Sequence, residues 1–75
     1  MARMRTWKFA EFIRLLEQHG FVLDRQRGSA RIYKGVVGGN VQTVTVHFHR
    51  GSDDIKRGTL QSMIRDSGLP KKLFR

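Results

Sequence analysis

The chain has no cysteine, a single proline, and only six acidic residues among its 75. Without cysteine, neither a disulfide framework nor a thiolate zinc site can be built, and the composition suits a reducing cytoplasm. No apolar run approaches the roughly 20 residues that span a bilayer. Met1-Ala2-Arg3-Met4-Arg5 leads into an amphipathic pattern and not into the apolar stretch of a signal peptide. The expectation is a cytoplasmic protein without a membrane partner. Because acid is scarce, fifteen Lys and Arg leave a formal net charge of +9. Positive charge at that density repels itself unless an anion neutralises it, so nucleic acid or an acidic protein is the natural partner. A basic surface that only keeps the protein dissolved is the bland alternative. At this length the chain reads as one domain, residues 1–75, with a small core in which every apolar contact counts.

Phe9, Phe12, Ile13 and Leu16 fall at i, i+3, i+4 and i+7 and share one helical face. The spacing predicts a helix from about Trp7 to His19, with Thr6 as its N-cap. Gly20 suits the left-handed position after the last turn, from which Phe21 folds back on Leu16 as in a Schellman ending. A second helix begins at Gly58 and Thr59, with Thr59 as cap, and buries Leu60, Met63 and Ile64. Gly68 and Leu69 repeat the first ending, and Pro70 blocks continuation. Lys71-Lys72-Leu73-Phe74-Arg75 either frays or lays Leu73 and Phe74 over the core.

Between the helices, Phe21 to Arg27 and Ala30 to Lys34 read as strands joined at Gly28-Ser29. Gly35, Gly38, Gly39 and Asn40 mark the next turn, and Val41 to His49 is a third strand. In it Val44, Val46 and Phe48 alternate with Thr43, Thr45, His47 and His49, which gives one apolar and one polar face. The expected fold is therefore α+β in the order α-β-β-β-α. A three-stranded antiparallel sheet carries two helices on one face and leaves the other face open.

Arg25, Arg27, Arg31 and Lys34 surround the Gly28-Ser29 turn, where cations can hold a phosphate backbone, or simply form a solvated basic edge. Ser29 is a turn former first and a ligand contact second. Lys56 and Arg57 precede the second helix, whose free amides could add to an anion site. His47 and His49, two residues apart on one strand, point to the same face and suit phosphate contact, a residual acid-base role, or plain solvation. As a metal pair they lack the cysteine or carboxylate cluster that would complete four ligands, so no metal or other cofactor is expected. His19 suits the negative end of the first helix. Trp7 and Tyr33 are read as residues at the edge of the core and not as base-stacking platforms. Strict alternation puts Ala30 on the face of Ile32 and opposite Arg31 and Tyr33. Either Ile32 faces outward, or a bulge near the glycine turn interrupts the strand.

From Phe9 to Leu69, the order Leu15-Leu16-Glu17-Gln18-His19-Gly20-Phe21, Gly28-Ser29-Ala30-Arg31-Ile32-Tyr33, the strand holding His47 and His49, Gly58-Thr59-Leu60 and Ser67-Gly68-Leu69 resembles the HicA toxin family of type II toxin-antitoxin systems. The resemblance implies a fold like that of a double-stranded-RNA-binding domain, messenger RNA as substrate, and a HicB-like antitoxin as partner. It also implies that the family's catalytic histidine, in a Gly-Ser-His motif, corresponds here to Ala30. His49 matches a histidine common near the end of this strand in the family, whereas His47 stands where the family more often has proline. An alanine methyl neither removes a proton from a 2′-hydroxyl nor protonates a leaving oxygen. The function expected is thus a messenger-RNA interferase toxin that is inactive as written. The alternatives are a non-catalytic RNA-binding module and a protein-interaction domain. An alanine at this place fits either a substitution made so that a toxic chain can be produced or a naturally silent relative.

Overall fold

The apolar stripe of the first helical segment becomes α1, Phe9–Gln18, which buries Phe12, Ile13 and Leu16. In the computed structural model, which describes residues 6–47, 50 and 52–74, it is followed by β1 (Val22–Arg27), β2 (Ala30–Val37), β3 (Asn40–His47), α2 (Arg57–Ser67) and a short 3-10 turn, Lys71–Phe74. The three strands form one antiparallel sheet in the order β1-β2-β3. Both helices bury their apolar stripes in a single core with Tyr33, Val44 and Val46. This is the α+β architecture of a double-stranded-RNA-binding-domain-like fold.

Helix α1 starts later than expected, at an N-cap of Lys8 and not Thr6. The reason is long-range pairing. Lys8 bridges Asp54 in antiparallel fashion, the Ile55 N–H donates to the Trp7 carbonyl at 2.8 Å, and the Lys8 ammonium lies 3.1 Å from the Asp54 carboxylate. Held extended, Trp7 turns its indole into the core, where Nε1 donates to the Phe74 carbonyl at 2.9 Å. The Glu11 carboxylate reaches back to accept the Lys8 N–H at 3.0 Å, which satisfies one of the helix's free donors. Phe74 is fully buried, its ring stacked on Phe12 and edge-on to Trp7, so the tail covers the core. Trp7 and Tyr33 lie within the core and not at its edge.

The end of α1 is a Schellman motif as expected. Phe21 N–H donates to the Leu16 carbonyl at 2.9 Å, Gly20 N–H to Glu17 at 3.2 Å, and Gly20 has φ +85°. The second helix departs from this pattern at both ends. Its N-cap is Lys56, so Thr59 sits inside the first turn. At its C-terminus Gly68 is left-handed, but the buried Ser67 hydroxyl replaces the direct bond to Leu69. It accepts the Leu69 N–H at 3.1 Å and donates to the Ile64 carbonyl at 2.6 Å.

Strand β2 runs on through Gly35 to Val37, so the second turn is only Gly38-Gly39, both at positive φ as a two-residue type I′ hairpin requires. Gly35 belongs to the sheet because Phe21 lies on it. A Cβ at residue 35 would stand 2.7 Å from the Phe21 ring. Strand β2 pairs with β3 without interruption from Ala30 to Val37, so Ile32 faces outward, half-buried. The irregularity lies in β1 instead, where the register shifts between Leu23 and Arg25 and leaves Asp24 as the extra residue.

Two measurements check this packing. Gly35→Ala is expected to lower stability by about 1–3 kcal/mol, the usual range for overpacking a filled core. An unchanged denaturant midpoint would contradict the placement of Phe21. Ser67→Ala, which removes the relay between Leu69 and Ile64, is expected to cost about 1–3 kcal/mol through unsatisfied buried groups. A neutral result in the same titration would mean that the two groups find each other directly.

Candidate functional site

Residues opposite one another in an antiparallel pair share a face, so the register sorts the candidate residues. On the face away from the helices lie three rows. They are Val22, Lys34 and Thr43; Arg25, Ile32 and Thr45; and Arg27, Ala30 and His47. The helix-side face carries Leu23, Tyr33 and Val44, then Gln26, Arg31 and Val46. The open face therefore gathers Arg25, Arg27, Ala30, Lys34 and His47. Arg31, half-buried, stands on the opposite side with the core valines, and is not brought together with them.

The bulge at Asp24 makes this grouping possible. Phe21, Arg25 and Arg27 have the same parity, and in a regular strand all three would face the core. The extra residue resets the alternation, so Phe21 is buried while both arginines are exposed on the open face. Asp24 itself brings the one acid of β1 to the basic cluster. Its Oδ2 is 3.7 Å from the Lys34 ammonium and 3.8 Å from Arg25 Nε. Contacts this long between half-exposed groups contribute little, and a polyanion can replace them. Asp24 was missed as a site residue because its role depends on the bulge, for which alternating hydrophobicity gives no sign.

Ser29 is exposed beside Gly28, the φ +56° residue of the β1-β2 turn, and Gln26 Nε2 donates to the Gly28 carbonyl at 3.2 Å. Ala30 is half-buried at the start of β2. His47 is exposed at the end of β3, and His49 lies outside the described residues. Lys56 and Arg57 are exposed at the start of α2, and neither belongs to the strand rows of the open face. His19 is the C-cap of α1.

The two ends of the open face differ. Beside and beyond Lys34 stand Val22, Val36 and Val41, which are 64–69% exposed and line a shallow groove of about 490 Å³ with Lys34, Gly20 and Gly35. Among the described residues no cluster of three or more His, Cys, Asp or Glu is gathered for a metal ion. No helix among them is long and apolar enough to cross a membrane.

Comparison with known families matches residues 9–69 to the model of the HicA toxin of bacterial toxin-antitoxin systems. The chain belongs to the HicA toxin family. No curated protein and no solved structure matches it. Membership in the HicA family makes this chain the toxin of a toxin-antitoxin pair and gives it an antitoxin as partner. The matched span holds both helices and the whole sheet, including the bulge and the open face.

A polyanion docked on this HicA open face should feel Arg25 and Arg27 and not the core-side face. Were single-stranded RNA that polyanion, Arg25→Ala with Arg27→Ala would weaken its binding and flatten its salt dependence, by roughly 0.7 unit of slope per lost phosphate contact. Filter binding at several salt concentrations reads this directly. Equal salt slopes for the parent and the folded double variant would remove these arginines from the interface.

Proposed function

We propose that the chain is a messenger-RNA interferase toxin of the HicA kind whose own catalytic position has been lost. It docks single-stranded stretches of messenger RNA on the open sheet face and is restrained in the cytoplasm by a HicB-like antitoxin. The observation that carries this reading is the location of Ala30. The position at which the family resemblance expects the catalytic histidine is on the open face, in one row with Arg27 and on the same side as Arg25 and Lys34. Arg27 and Arg25 suit the phosphate backbone, and the groups around residue 30 suit the scissile linkage. With alanine in that position, the proton-transfer contribution of residue 30, about 10²–10⁴-fold, is missing, and cleavage falls by about that factor. The exposed valines at the far end of the same face supply apolar area for a protein partner, and the net charge of +9 favours an acidic one.

Ala30→His should create an active ribonuclease. Residue 30 is on the open face of a regular strand, so the added imidazole displaces nothing in the core, and the fold should be retained. Cells expressing the variant should stop growing unless the antitoxin is co-expressed, and the purified variant should cut unstructured RNA in the presence of a chelator. If a correctly folded Ala30→His protein neither cuts RNA nor slows growth, the interferase reading fails. A non-catalytic RNA-binding module then becomes the better account.

A further inference from the structure

With alanine at position 30, His47 is the one histidine on the open face among the described residues, and the register gives its place. It pairs directly with Ala30 across β2 and β3, and side chains in such pairs have Cβ atoms about 4.5–5.5 Å apart. The methyl group of Ala30 is too short to fill the space above the sheet, so the longer imidazole can lean over it. On the other flank of Ala30 is Arg27, two strand spacings or about 10 Å from His47. A phosphodiester lying over Ala30 therefore meets a guanidinium on one side and an imidazole on the other. The described residues give Arg27 no carboxylate partner, since Asp24 is turned toward Arg25 and Lys34. No other row of the open face combines a cation, a small residue and a proton-transfer group. The next one holds Arg25, Ile32 and Thr45, and its middle is filled by isoleucine.

We propose that His47 supplies, from the neighbouring strand, a weaker substitute for the proton-transfer group that position 30 lacks, so that the chain as written retains slow, metal-independent RNA cleavage. The proposal rests on the interferase reading above. In the reaction, the His47 imidazole takes the proton of a 2′-hydroxyl, and the freed oxygen bonds to the adjacent phosphorus. The bond from phosphorus to the 5′ oxygen breaks, and that oxygen takes a proton from the imidazolium or from water. The products are a 2′,3′-cyclic phosphate and a 5′-hydroxyl, with no oxidant, reductant or further reactant required. Arg27 faces the non-bridging oxygens, whose charge grows as the linkage breaks. His47 starts one strand away from the position of the lost histidine, and a misplacement of about 1 Å can cost about 10²-fold, so the substitute is slow.

The test uses 5′-labelled single-stranded RNA in the presence of a chelator, with the parent protein, His47→Gln, His47→Ala and Ala30→His purified in parallel. The parent is expected to cut slowly and to leave cyclic-phosphate ends. Both His47 variants should lose up to about 10²-fold of that rate and fall to the uncatalysed floor, with unchanged thermal midpoints. A 2′-deoxy nucleotide at the cleavage point should block the parent completely. If Ala30→His cuts while the parent and His47→Gln are indistinguishable, the role of His47 is overturned and the interferase reading stands. If neither the parent nor Ala30→His cuts, the interferase reading itself fails, and this proposal falls with it.

Discussion

One extra residue in β1 decides which side of the sheet can act on a ligand. The first strand must deliver Phe21 to the core, where its ring lies on Gly35 and its N–H closes the end of α1. It must also deliver Arg25 and Arg27 to solvent, and a strictly alternating strand cannot do both. The bulge at Asp24 resolves the conflict at the cost of one disrupted step in an edge strand. An edge is also where such a disruption is tolerated, because only one neighbouring strand is affected, and the bulge with its charges discourages pairing with a second sheet.

The core is small and is closed by contacts between distant parts of the chain. Trp7, Phe12 and Phe74 pack ring against ring, and the Trp7 indole donates to the Phe74 carbonyl, which ties the segment before α1 to the segment after α2. Buried Trp and Phe side chains contribute both area and edge-on geometry, and the indole N–H has found the partner that burial demands. All of this lies on the helix side of the sheet. The open face takes no part in it, so residue 30 can change from an imidazole to a methyl without disturbing the fold.

Much of this architecture was legible in the chain. The stripes of α1 and α2 follow from 3.6-residue periodicity, the β3 faces from alternation, and the ends of both helices from Gly20 and Gly68. Two of the missed features depend on contacts between segments far apart in sequence, and a third on the burial of one hydroxyl. Lys8 caps α1 instead of Thr6 because Asp54 holds it extended, and Gly35 belongs to a strand instead of a turn because Phe21 lies on it. Ser67 enters the ending of α2 because its hydroxyl is buried between two backbone groups. For the site, clustering in sequence placed Arg31 with Arg25, Arg27 and Lys34, while the register puts it on the other face. The family resemblance identified position 30, and only the pairing of strands showed that Arg27 and His47 are its lateral neighbours.

The central claim is that RNA is handled on the open sheet face, in the row of Arg27, Ala30 and His47. Amide chemical-shift mapping of the labelled protein with a short 2′-O-methylated RNA, which cannot be cut through its 2′ oxygen, tests this most directly. The account predicts that the largest shifts fall on Arg25, Arg27, Ala30, Ile32, Thr45 and His47, with little change along α1 and α2. Shifts concentrated on the exposed sides of the helices, with the open face unaffected, would contradict it.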